Sequence, residues 1–316
     1  MKRNALRVLT YHRVIDPADA PLADPALISA VPSAFERQMR FLARRYRPVR
    51  PEEMLEAARG GTPLPERAVL VTFDDAYRDF GEIAWPIMRR HRVPATVFVA
   101  TAYPDHPERE FWWDQLHRAF ARTSRAELSV APALRLSLDG DEARRRSLRS
   151  LQSYLKRIPH AEAMELVARI REDLGDAVAM PGEVLGWSDL RALAADGVTL
   201  GGHTHTHPAM NQLPLDELRS EVHGSRDILE REIGPAAPIF AYPFGAHDPA
   251  AVEVVRRAGY ELAMTAMDGH NRIGSTDPLR LRRTNVTRRT TPRLLRLRLL
   301  PLFPYVDRWR HRAEAA

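Results

Sequence analysis

Short apolar runs alternate along the chain with segments in which apolar residues recur at helical spacing. Continuous apolar, β-branched runs are typical of strands buried in a parallel sheet. Seven such strands are predicted, at residues 6–11, 68–73, 95–100, 198–202, 238–241, 260–265 and 281–286. Helices are predicted at residues 34–46, 51–58, 76–90, 187–195, 215–233 and 249–258. This alternation predicts an α/β fold, and a slightly incomplete (β/α) barrel fits it better than an open sheet.

Residues 103–181 interrupt the alternation, because they contain no strong strand pattern and three helical ones, near residues 113–122, 142–155 and 161–174. We therefore expect a barrel in two parts, 1–104 and 182–290, a helical insertion at 105–181 that forms a lid or subdomain, and a basic apolar C-terminal tail at 291–316. Three consecutive aromatic residues, Phe111, Trp112 and Trp113, open the insertion. They could form a platform for a sugar ring or anchor the insertion to the barrel.

Charge is concentrated near the C-terminus. The 316 residues carry 47 Lys and Arg against 41 Asp and Glu, a net charge of +6. Eleven arginines and a single acid, Asp307, lie between Leu279 and Arg312. Such a tail could contact an anionic lipid surface, pack against the barrel or a partner subunit, or be solvated. Peripheral membrane contact through the tail stays open, no nucleic-acid partner is expected, and the oligomeric state is not predicted.

The chain contains no cysteine, which excludes disulfides and cysteine-based zinc sites. The basic N-terminus lacks the apolar core of a signal peptide, and no window approaches the roughly 18 apolar residues that a membrane span requires. We therefore expect a cytoplasmic protein, with membrane association at most peripheral.

Two adjacent carboxylates, Asp74 and Asp75, end the second predicted strand, A-V-L-V-T-F-D-D. Neighbouring side chains of an extended chain point to opposite sides, so the two acids should meet different environments. One could bind a metal while the other moves a proton. The alternative, an N-cap for the following helix, explains one of the acids but not the pair.

Three histidines, His203, His205 and His207, follow the fourth predicted strand in H-T-H-T-H-P. Imidazole is a common neutral ligand of zinc and similar ions, and three alternating histidines would be costly in a packed core. A helical turn would place His203 and His207 on one face, whereas an extended segment would align all three. Spacing alone does not decide which of them bind.

Two histidines and one carboxylate would leave open positions on a divalent ion, which is the pattern of catalytic rather than structural sites. Such an ion lowers the pKa of a water it binds to about 7. The remaining carboxylate of the acid pair could then take the proton of that water during attack on a carbonyl.

Three motifs in this order resemble those of the polysaccharide deacetylases (NodB-homology domain, carbohydrate esterase family 4): T-F-D-D at 72–75, H-T-H-T-H at 203–207 and F-A-Y-P-F-G at 240–245. The resemblance covers roughly residues 6–103 and 181–286, outside the insertion and the tail. It implies a distorted (β/α)₇ TIM-like barrel and metal-dependent removal of acetyl groups, most often N-acetyl groups, from sugars. Zn²⁺ is the expected ion, with Co²⁺, Ni²⁺ and Mn²⁺ as alternatives.

The resemblance also implies roles for individual residues. Asp74 is the expected general base, and Asp75, His203 and His207 are the expected metal ligands. His205 would occupy a variable position. The backbone N–H of Phe244 would help to hold the oxyanion of the tetrahedral intermediate, with Tyr242 and Arg283 in the same oxyanion- and substrate-binding set.

Three departures from the family pattern carry further expectations. The usual glycine after the acid pair is Ala76, a minor change if the φ angle there is negative. The arginine of the third motif is replaced by Ala241, and Arg283 is the expected substitute that steadies the base, with a surface role as the alternative. The late Leu-x-His motif that supplies the general acid is absent. His12, in a Tyr-His element after the first strand, is the expected replacement, and His270 is second.

The favoured function is therefore deacetylation of a sugar, glycan or glycan precursor, and a precursor is the expected substrate for a protein without an export signal. The alternatives are a related amidohydrolase acting on a non-sugar amide and a non-catalytic glycan or membrane-surface binder. Acetate release from N-acetylglucosamine oligomers distinguishes the sugar deacetylase from the amidohydrolase, which would release none. Bound metal without turnover of any acetylated substrate would indicate the non-catalytic binder.

Overall fold

The computed structural model describes residues 4–131, 134–176 and 182–300. Its strands are β1 (Ala5–Tyr11), β2 (Arg13–Val14), β3 (Ile28–Ala30), β4 (Arg47–Pro48), β5 (Ala68–Asp74), β6 (Thr96–Val99), β7 (Glu127–Ala131), β8 (Leu134–Ser137), β9 (Thr199–Gly202), β10 (Ile239–Ala241), β11 (Leu262–Met264), β12 (Asn271–Arg272) and β13 (Thr284–Asn285). Its α-helices are α1 (Pro32–Arg45), α2 (Pro51–Ala58), α3 (Trp85–Arg90), α4 (Trp112–Arg122), α5 (Gly140–Leu155), α6 (His160–Asp173), α7 (Trp187–Ala195), α8 (Leu215–Ile233), α9 (Pro249–Arg257) and α10 (Pro292–Arg298).

One sheet organises the molecule, and its strands are parallel except for the short β12, which pairs antiparallel with β1. Its strands run in the order β11, β10, β9, β6, β5, β1, and β13 pairs in parallel with β1 on the far side. A single parallel bridge between Met264 and Leu281 links β11 to the segment that leads into β13. Helices surround this curled sheet, so the predicted distorted (β/α)₇ barrel is confirmed. All seven predicted strands are present, although the last is much shorter than predicted.

Alternation along the central strands separates the barrel interior from the helical layer. Leu6 and Val8 of β1 pack in one apolar cluster with Ala68 and Leu70 of β5. The intervening residues, such as Leu9, join the cluster that faces the helices. Because Thr10 is paired with Thr72, the next inward positions after these residues are His12 and Asp74. The register therefore directs both side chains toward the same end of the barrel interior.

The segment after β5 differs from the predicted helix 76–90. Asp75 and Ala76 form a turn, residues 80–84 form one turn of π-helix, and helix α3 begins at Trp85. Pro86 explains the irregularity, because it lacks the N–H that would continue the α-helical ladder and its ring crowds the preceding turn. The interruption of the predicted helix therefore lies just before the proline. Helix α1 begins at Pro32, two residues before the predicted start, with Val31 in the capping position.

The inserted segment contains more than the predicted helices. Helices α4, α5 and α6 lie close to their predicted positions, but an antiparallel hairpin, β7 with β8, joins α4 to α5. Side chains of α4 such as Leu116 and Phe120 are buried in the same cluster as Leu151 of α5. The division into barrel and insertion at residues 104/105 and 181/182 stays a prediction.

The first part of the predicted tail packs on the barrel. Helix α10 contacts α1, its Leu295 and the following Leu299 are fully buried, and Arg7 Nε donates a hydrogen bond to the Leu299 carbonyl at 2.6 Å. The rest of the tail, residues 301–316, lies outside the described residues, and membrane contact through it stays a prediction. Across the described ranges, none of the helices combines the length and apolar character that a membrane crossing requires.

Candidate metal centre and catalytic site

The candidate site lies where β1, β5 and β9 end. Parallel strands bring their carboxyl ends to one edge of a barrel, which is where barrel enzymes place their chemistry. His12 follows β1, Asp74 is the last residue of β5, and His203 follows β9 directly. These residues and Asp75 and His207 line a common cavity of about 310 Å³.

Asp75, His203 and His207 form the candidate metal centre. One ligand atom from each lies within 4.8 Å of the others, and all three residues are buried. The two imidazole Nε2 atoms are 3.1 Å apart, and the Asp75 Oδ1 atom lies 3.3 Å from Nε2 of His207 and 3.7 Å from that of His203. The predicted ligands are therefore adjacent, and the loop geometry selects two of the three histidines.

The chemistry of this donor set fits a divalent cation. Asp75 Oδ1 is buried and has no hydrogen-bond partner among the described residues, which is costly for a carboxylate unless something positive binds it. The His203 Nδ1–H donates to the Ala241 carbonyl at 2.6 Å, which leaves the Nε2 lone pair facing the cluster. Burial and the nearby His207 lower the pKa of His203 to about 4, so the ring is neutral at neutral pH, as a metal ligand must be.

His205 lies outside the cluster. Its Nδ1 atom is 3.0 Å from the Thr101 hydroxyl. Its backbone N–H donates to Glu221 of α8 at 2.8 Å, and Thr206 donates to the same carboxylate through both its N–H and its hydroxyl, at 2.8 and 2.6 Å. Glu221 thereby fixes the middle of the histidine loop.

Several site residues adopt left-handed backbone conformations. The φ angle is 72° at Asp75, 51° at Ala76, 63° at both Thr204 and His207, and 57° at Phe244. Side chains other than glycine rarely adopt these values, and such strain is retained where the surrounding structure requires it. The condition under which Ala76 would be a minor change, a negative φ angle, is therefore not met. The position is one that glycine adopts at lower cost.

Asp74 is held by Arg283. The Arg283 Nη1–H donates to Asp74 Oδ1 at 2.7 Å, and its Nε–H donates to the Thr265 carbonyl at 2.9 Å. Both side chains are buried, so Arg283 has no surface role. Burial alone would raise the pKa of Asp74, but the charges of Arg283, His203 and His12 outweigh it and lower that pKa to about 2.

The two general-acid candidates lie in different places. His12 is half-buried, lines the cavity, and is anchored by its backbone N–H, which donates to the Ser29 hydroxyl at 2.9 Å. His270 does not line the cavity; its Nε2 atom lies 3.2 Å from the Arg298 carbonyl beside α10. The geometry therefore brings His12, and not His270, to the candidate site.

Phe244 lines the cavity, and its ring packs against the His207 imidazole with centroids 4.6 Å apart. Tyr242 does not line it. The Tyr242 side chain is fully buried, its hydroxyl donates to the Leu279 carbonyl at 3.1 Å, and its backbone N–H donates to the Met264 carbonyl. The predicted substrate contact of Tyr242 needs correction, because all of its donors are used inside the protein.

Sequence reasoning missed several residues that line the cavity. Asp24 comes from the segment between β2 and β3, and Gln152 and Lys156 come from the end of α5. None of them lies in a recognisable motif, because their positions depend on how the insertion folds back over the barrel. Trp113 of the aromatic triplet also lines the cavity, although it is largely buried and, like Phe111, anchors α4. Their burial supports the anchoring interpretation, and a sugar platform at Trp113 stays a prediction.

Residues 61–128 and 150–263 match the family model described as polysaccharide deacetylase. The match includes α4 and α6, so the expectation that the whole insertion lies outside the resemblance is wrong. Poly-beta-1,6-N-acetyl-D-glucosamine N-deacetylase of Escherichia coli (strain K12) is 24% identical over 268 residues, which cover 84% of this chain and 34% of that protein. The protein of the same name from Escherichia coli O157:H7 is 33% identical over 141 residues, 40% of this chain and 20% of its own length. The chain thus spans about a third or less of the curated relatives it matches.

Solved structures of similar fold include the Streptococcus pyogenes deacetylase PplD in complex with acetate, with a TM-score of 0.63, 19% identity and coverage of 95% of this chain and 100% of that one. IcaB from Ammonifex degensii has a TM-score of 0.60 and 19% identity, and the alignment covers 94% of this chain and 98% of that one. At this identity they establish the fold alone. With the family match extending over more than half of the 316 residues, the chain belongs to the polysaccharide deacetylase family.

Proposed function

We propose that this protein is a metal-dependent hydrolase that removes acetyl groups, chiefly N-acetyl groups, from a sugar or glycan. The observation that carries the proposal is the convergence of Asp75, His203 and His207 within 4.8 Å, with Asp74 beside them in the same cavity. A purely structural zinc site would have a closed set of four protein ligands, whereas these three leave room for a reacting molecule.

Asp75, His203 and His207 would hold the ion, and their nitrogen and oxygen donors favour Zn²⁺, with Co²⁺, Ni²⁺ and Mn²⁺ as alternatives. When bound, such an ion acts as a Lewis acid on a carbonyl oxygen and makes water acidic near neutral pH.

Asp74 is the proposed general base. Its low pKa keeps the carboxylate ionised at neutral pH, so that it can accept a proton from the attacking water. The Arg283 guanidinium is a positioning group, because its bond to Oδ1 fixes the carboxylate while its second bond, to the Thr265 carbonyl, fixes the guanidinium itself.

His12 is the proposed general acid. Cleavage of an amide requires a proton for the departing amine, and His12 lies in the cavity beside Asp74 in the register set by β1 and β5. The backbone N–H of Phe244 is proposed to stabilise the negative charge that develops on the carbonyl oxygen. Phe244 can fill this role whatever its side chain, because the donor is the main chain.

The proposed substrate is an N-acetylated glucosamine polymer or a precursor of one. The names of the Escherichia coli relatives support this class, although the chain spans only part of those proteins. The Trp113 and Phe244 rings in the cavity wall add apolar surface of the kind that packs against sugar rings.

An acetate-release assay on N-acetylglucosamine oligomers tests the proposal. The wild-type protein loaded with Zn²⁺ should release acetate, and Asp74→Asn should abolish turnover while binding zinc as tightly as the wild type. Wild-type protein that binds zinc but releases no acetate from N-acetylated sugars would contradict the proposal.

A further inference from the structure

Four residues form one side of the cavity and lie outside the three sequence motifs. Asp24 comes from the segment between β2 and β3, Trp113 from α4, and Gln152 and Lys156 from the end of α5. We call these four residues the outer wall. The catalytic candidates occupy the barrel side of the same cavity, so a molecule positioned for reaction would extend against the outer wall.

Asp24 is a buried carboxylate with spare hydrogen-bonding capacity. Its side chain is largely inaccessible, and Oδ1 accepts the backbone N–H of Ala26 at 2.9 Å. Its other contacts are long: the Gln152 amide nitrogen lies 3.4 Å from Oδ2 and the His117 ring nitrogen 3.9 Å from Oδ1. A carboxylate can accept about four hydrogen bonds, so Asp24 can accept more from a molecule in the cavity.

Lys156 places a cation at the same wall. Its ammonium lies 4.5 Å from the centroid of the Phe244 ring, in cation–π contact with a residue of the third motif. The side chain is accessible, so the ammonium can donate hydrogen bonds to a molecule that enters. Together, the outer wall offers a carboxylate acceptor, amide and ammonium donors and an aromatic surface.

The charges of the cavity argue against a phosphate-bearing substrate. Arg283 is committed to Asp74, and the proposed ion would be committed to Asp75 and the two histidines on the barrel side, so Asp24 and Lys156 are the charged groups left to meet a ligand at the outer wall. A phosphate group there would face the Asp24 carboxylate with a single lysine to offset it. Mixed acceptors and donors instead suit the hydroxyl groups of a neutral saccharide.

The size of the cavity limits how many sugar units it can hold. A volume of about 310 Å³ lies at the lower end of the roughly 300–1,000 Å³ found for small-molecule sites, so the cavity holds the reacting unit beside the catalytic groups and only the adjoining part of its neighbour, against the outer wall. Further units of a longer chain must lie toward the mouth.

We propose that the outer wall is a binding subsite for the neutral saccharide unit next to the one that loses its acetyl group, with Asp24 and Lys156 as hydrogen-bonding partners of a hydroxyl-bearing oligomer and the Asp24 carboxylate as the group that disfavours a nucleotide-linked sugar. This inference rests on the proposed function and specifies its substrate class. Asp24 accepts from sugar hydroxyls, and Lys156 and Gln152 donate to ring or hydroxyl oxygens.

The test compares Asp24→Asn and Lys156→Met with the wild type in the zinc-loaded full chain. Substrates are N-acetylglucosamine, its oligomers of two to four units and a nucleotide-linked N-acetylglucosamine. Each variant should raise KM for the oligomers by about ten- to a hundredfold with a much smaller change in kcat, because a charged hydrogen bond is lost in binding rather than in the chemical step.

Matched controls are Asp19→Asn, on an exposed residue of the same segment as Asp24, and Arg157→Met, next to Lys156 but outside the cavity lining. Both should leave KM unchanged. Lys156→Met changes an accessible side chain, so its result stands even if Asp24→Asn unfolds.

Titration of the oligomers into Asp74→Asn protein measures binding independently of turnover. Binding should be weaker in the double variant that carries both Asp74→Asn and Lys156→Met. Oligomer KM values that match the wild type in both variants would overturn the inference while leaving the proposed function intact. A preference of the wild type for the nucleotide-linked sugar, lost in Lys156→Met, would overturn it in favour of phosphate recognition. Absence of acetate release by the wild type from all of these substrates would instead contradict the proposed function.

Discussion

At the scale of single residues, backbone torsions separate the two adjacent acids. Asp74 keeps the inward direction of β5 and meets Arg283. Asp75 has a φ of 72°, so the chain leaves the strand conformation there and the Asp75 carboxylate reaches the two histidines instead. Two neighbouring carboxylates thereby acquire different partners and are proposed to have different roles.

Ala76 has a left-handed backbone that costs stability. A φ of 51° is unfavourable for alanine by about 1–2 kcal/mol relative to glycine, and glycine in turn costs about 0.4–1 kcal/mol through the unfolded chain. We expect Ala76→Gly to raise the free energy of unfolding by about 0.5–1 kcal/mol. Urea denaturation measures it, and Ala194→Gly inside α7 is the control that should destabilise. A lower free energy of unfolding for Ala76→Gly would contradict the claim that the Ala76 backbone is strained.

Arg283 positions Asp74, so its loss should affect turnover more than binding. We expect Arg283→Met to lower kcat on N-acetylglucosamine oligomers by about a hundredfold, with little change in KM and no loss of zinc, and Arg283→Lys to restore part of the rate. Steady-state kinetics and metal analysis on the same samples measure this. Arg282→Met, beside it but outside the cavity lining, should resemble the wild type. An Arg283→Met protein with normal kcat would show that Asp74 needs no guanidinium.

At the scale of elements, helix α8 shapes the histidine loop. The Glu221 carboxylate accepts three hydrogen bonds from His205 and Thr206, within a loop whose left-handed Thr204 and His207 could not be held by regular secondary structure. The candidate metal centre therefore depends on a helix that contributes no ligand.

Removal of the hydrogen bonds that Glu221 accepts from the histidine loop should weaken metal binding. Glu221→Ala should reduce zinc affinity by about ten- to a hundredfold, the range found when groups that orient metal ligands are lost, and Glu221→Gln by less, because an amide oxygen can still accept. Competition with a zinc chelator measures the affinity. Glu217→Ala, on an exposed position of the same helix, is the control. Equal zinc affinity of Glu221→Ala and the control would show that the hydrogen bonds to Glu221 do not support metal binding.

At the scale of the whole molecule, buried polar groups join the insertion to the barrel. The Tyr77 hydroxyl, from the turn after β5, donates to Asp114 of α4 at 2.6 Å and accepts from the Trp113 indole at 2.9 Å. Nearby, Arg13 Nε donates to Asp79 at 2.8 Å. Burial raises the pKa of Asp114 to about 8 despite its bond from Tyr77, so the carboxyl is largely protonated at neutral pH.

This interface predicts a pH dependence of stability. Because the folded-state pKa of Asp114 lies above the unfolded value of 3.8, its contribution to stability is complete below about pH 4 and is lost as the pH rises toward 8. Over that window, the unfolding free energy of the wild type should fall relative to Asp114→Asn by on the order of 1.4 kcal/mol per pH unit. Urea denaturation at several pH values tests this, with exposed Asp141→Asn as the control. If the unfolding free energies of the wild type and Asp114→Asn changed in parallel with pH, a raised pKa of Asp114 would be excluded.

Features that depend on a local sequence pattern could be predicted, whereas features that depend on contacts between distant segments could not. The apolar runs identified all seven barrel strands, and the positions of Asp74, Asp75 and the histidines at strand ends predicted the convergence of the site. Asp24 and Lys156 carry no local signal, because only the fold of the insertion brings them to the cavity. The hairpin β7–β8 escaped detection because its strands are short and partly exposed, and the positive φ of Ala76 depends on the turn that Asp75 makes toward the histidines.

Zinc binding by ligand variants tests the central claim most directly. Equilibrium titration of the wild-type protein, Asp75→Ala, His203→Ala and His207→Ala with Zn²⁺ would be compared with His205→Ala, a histidine of the same loop outside the cluster. The wild type and His205→Ala should each bind a single ion tightly, and the other three variants should lose that binding. A wild-type protein without a zinc site, or tight binding that survives loss of His203 and His207 but not of His205, would contradict the account.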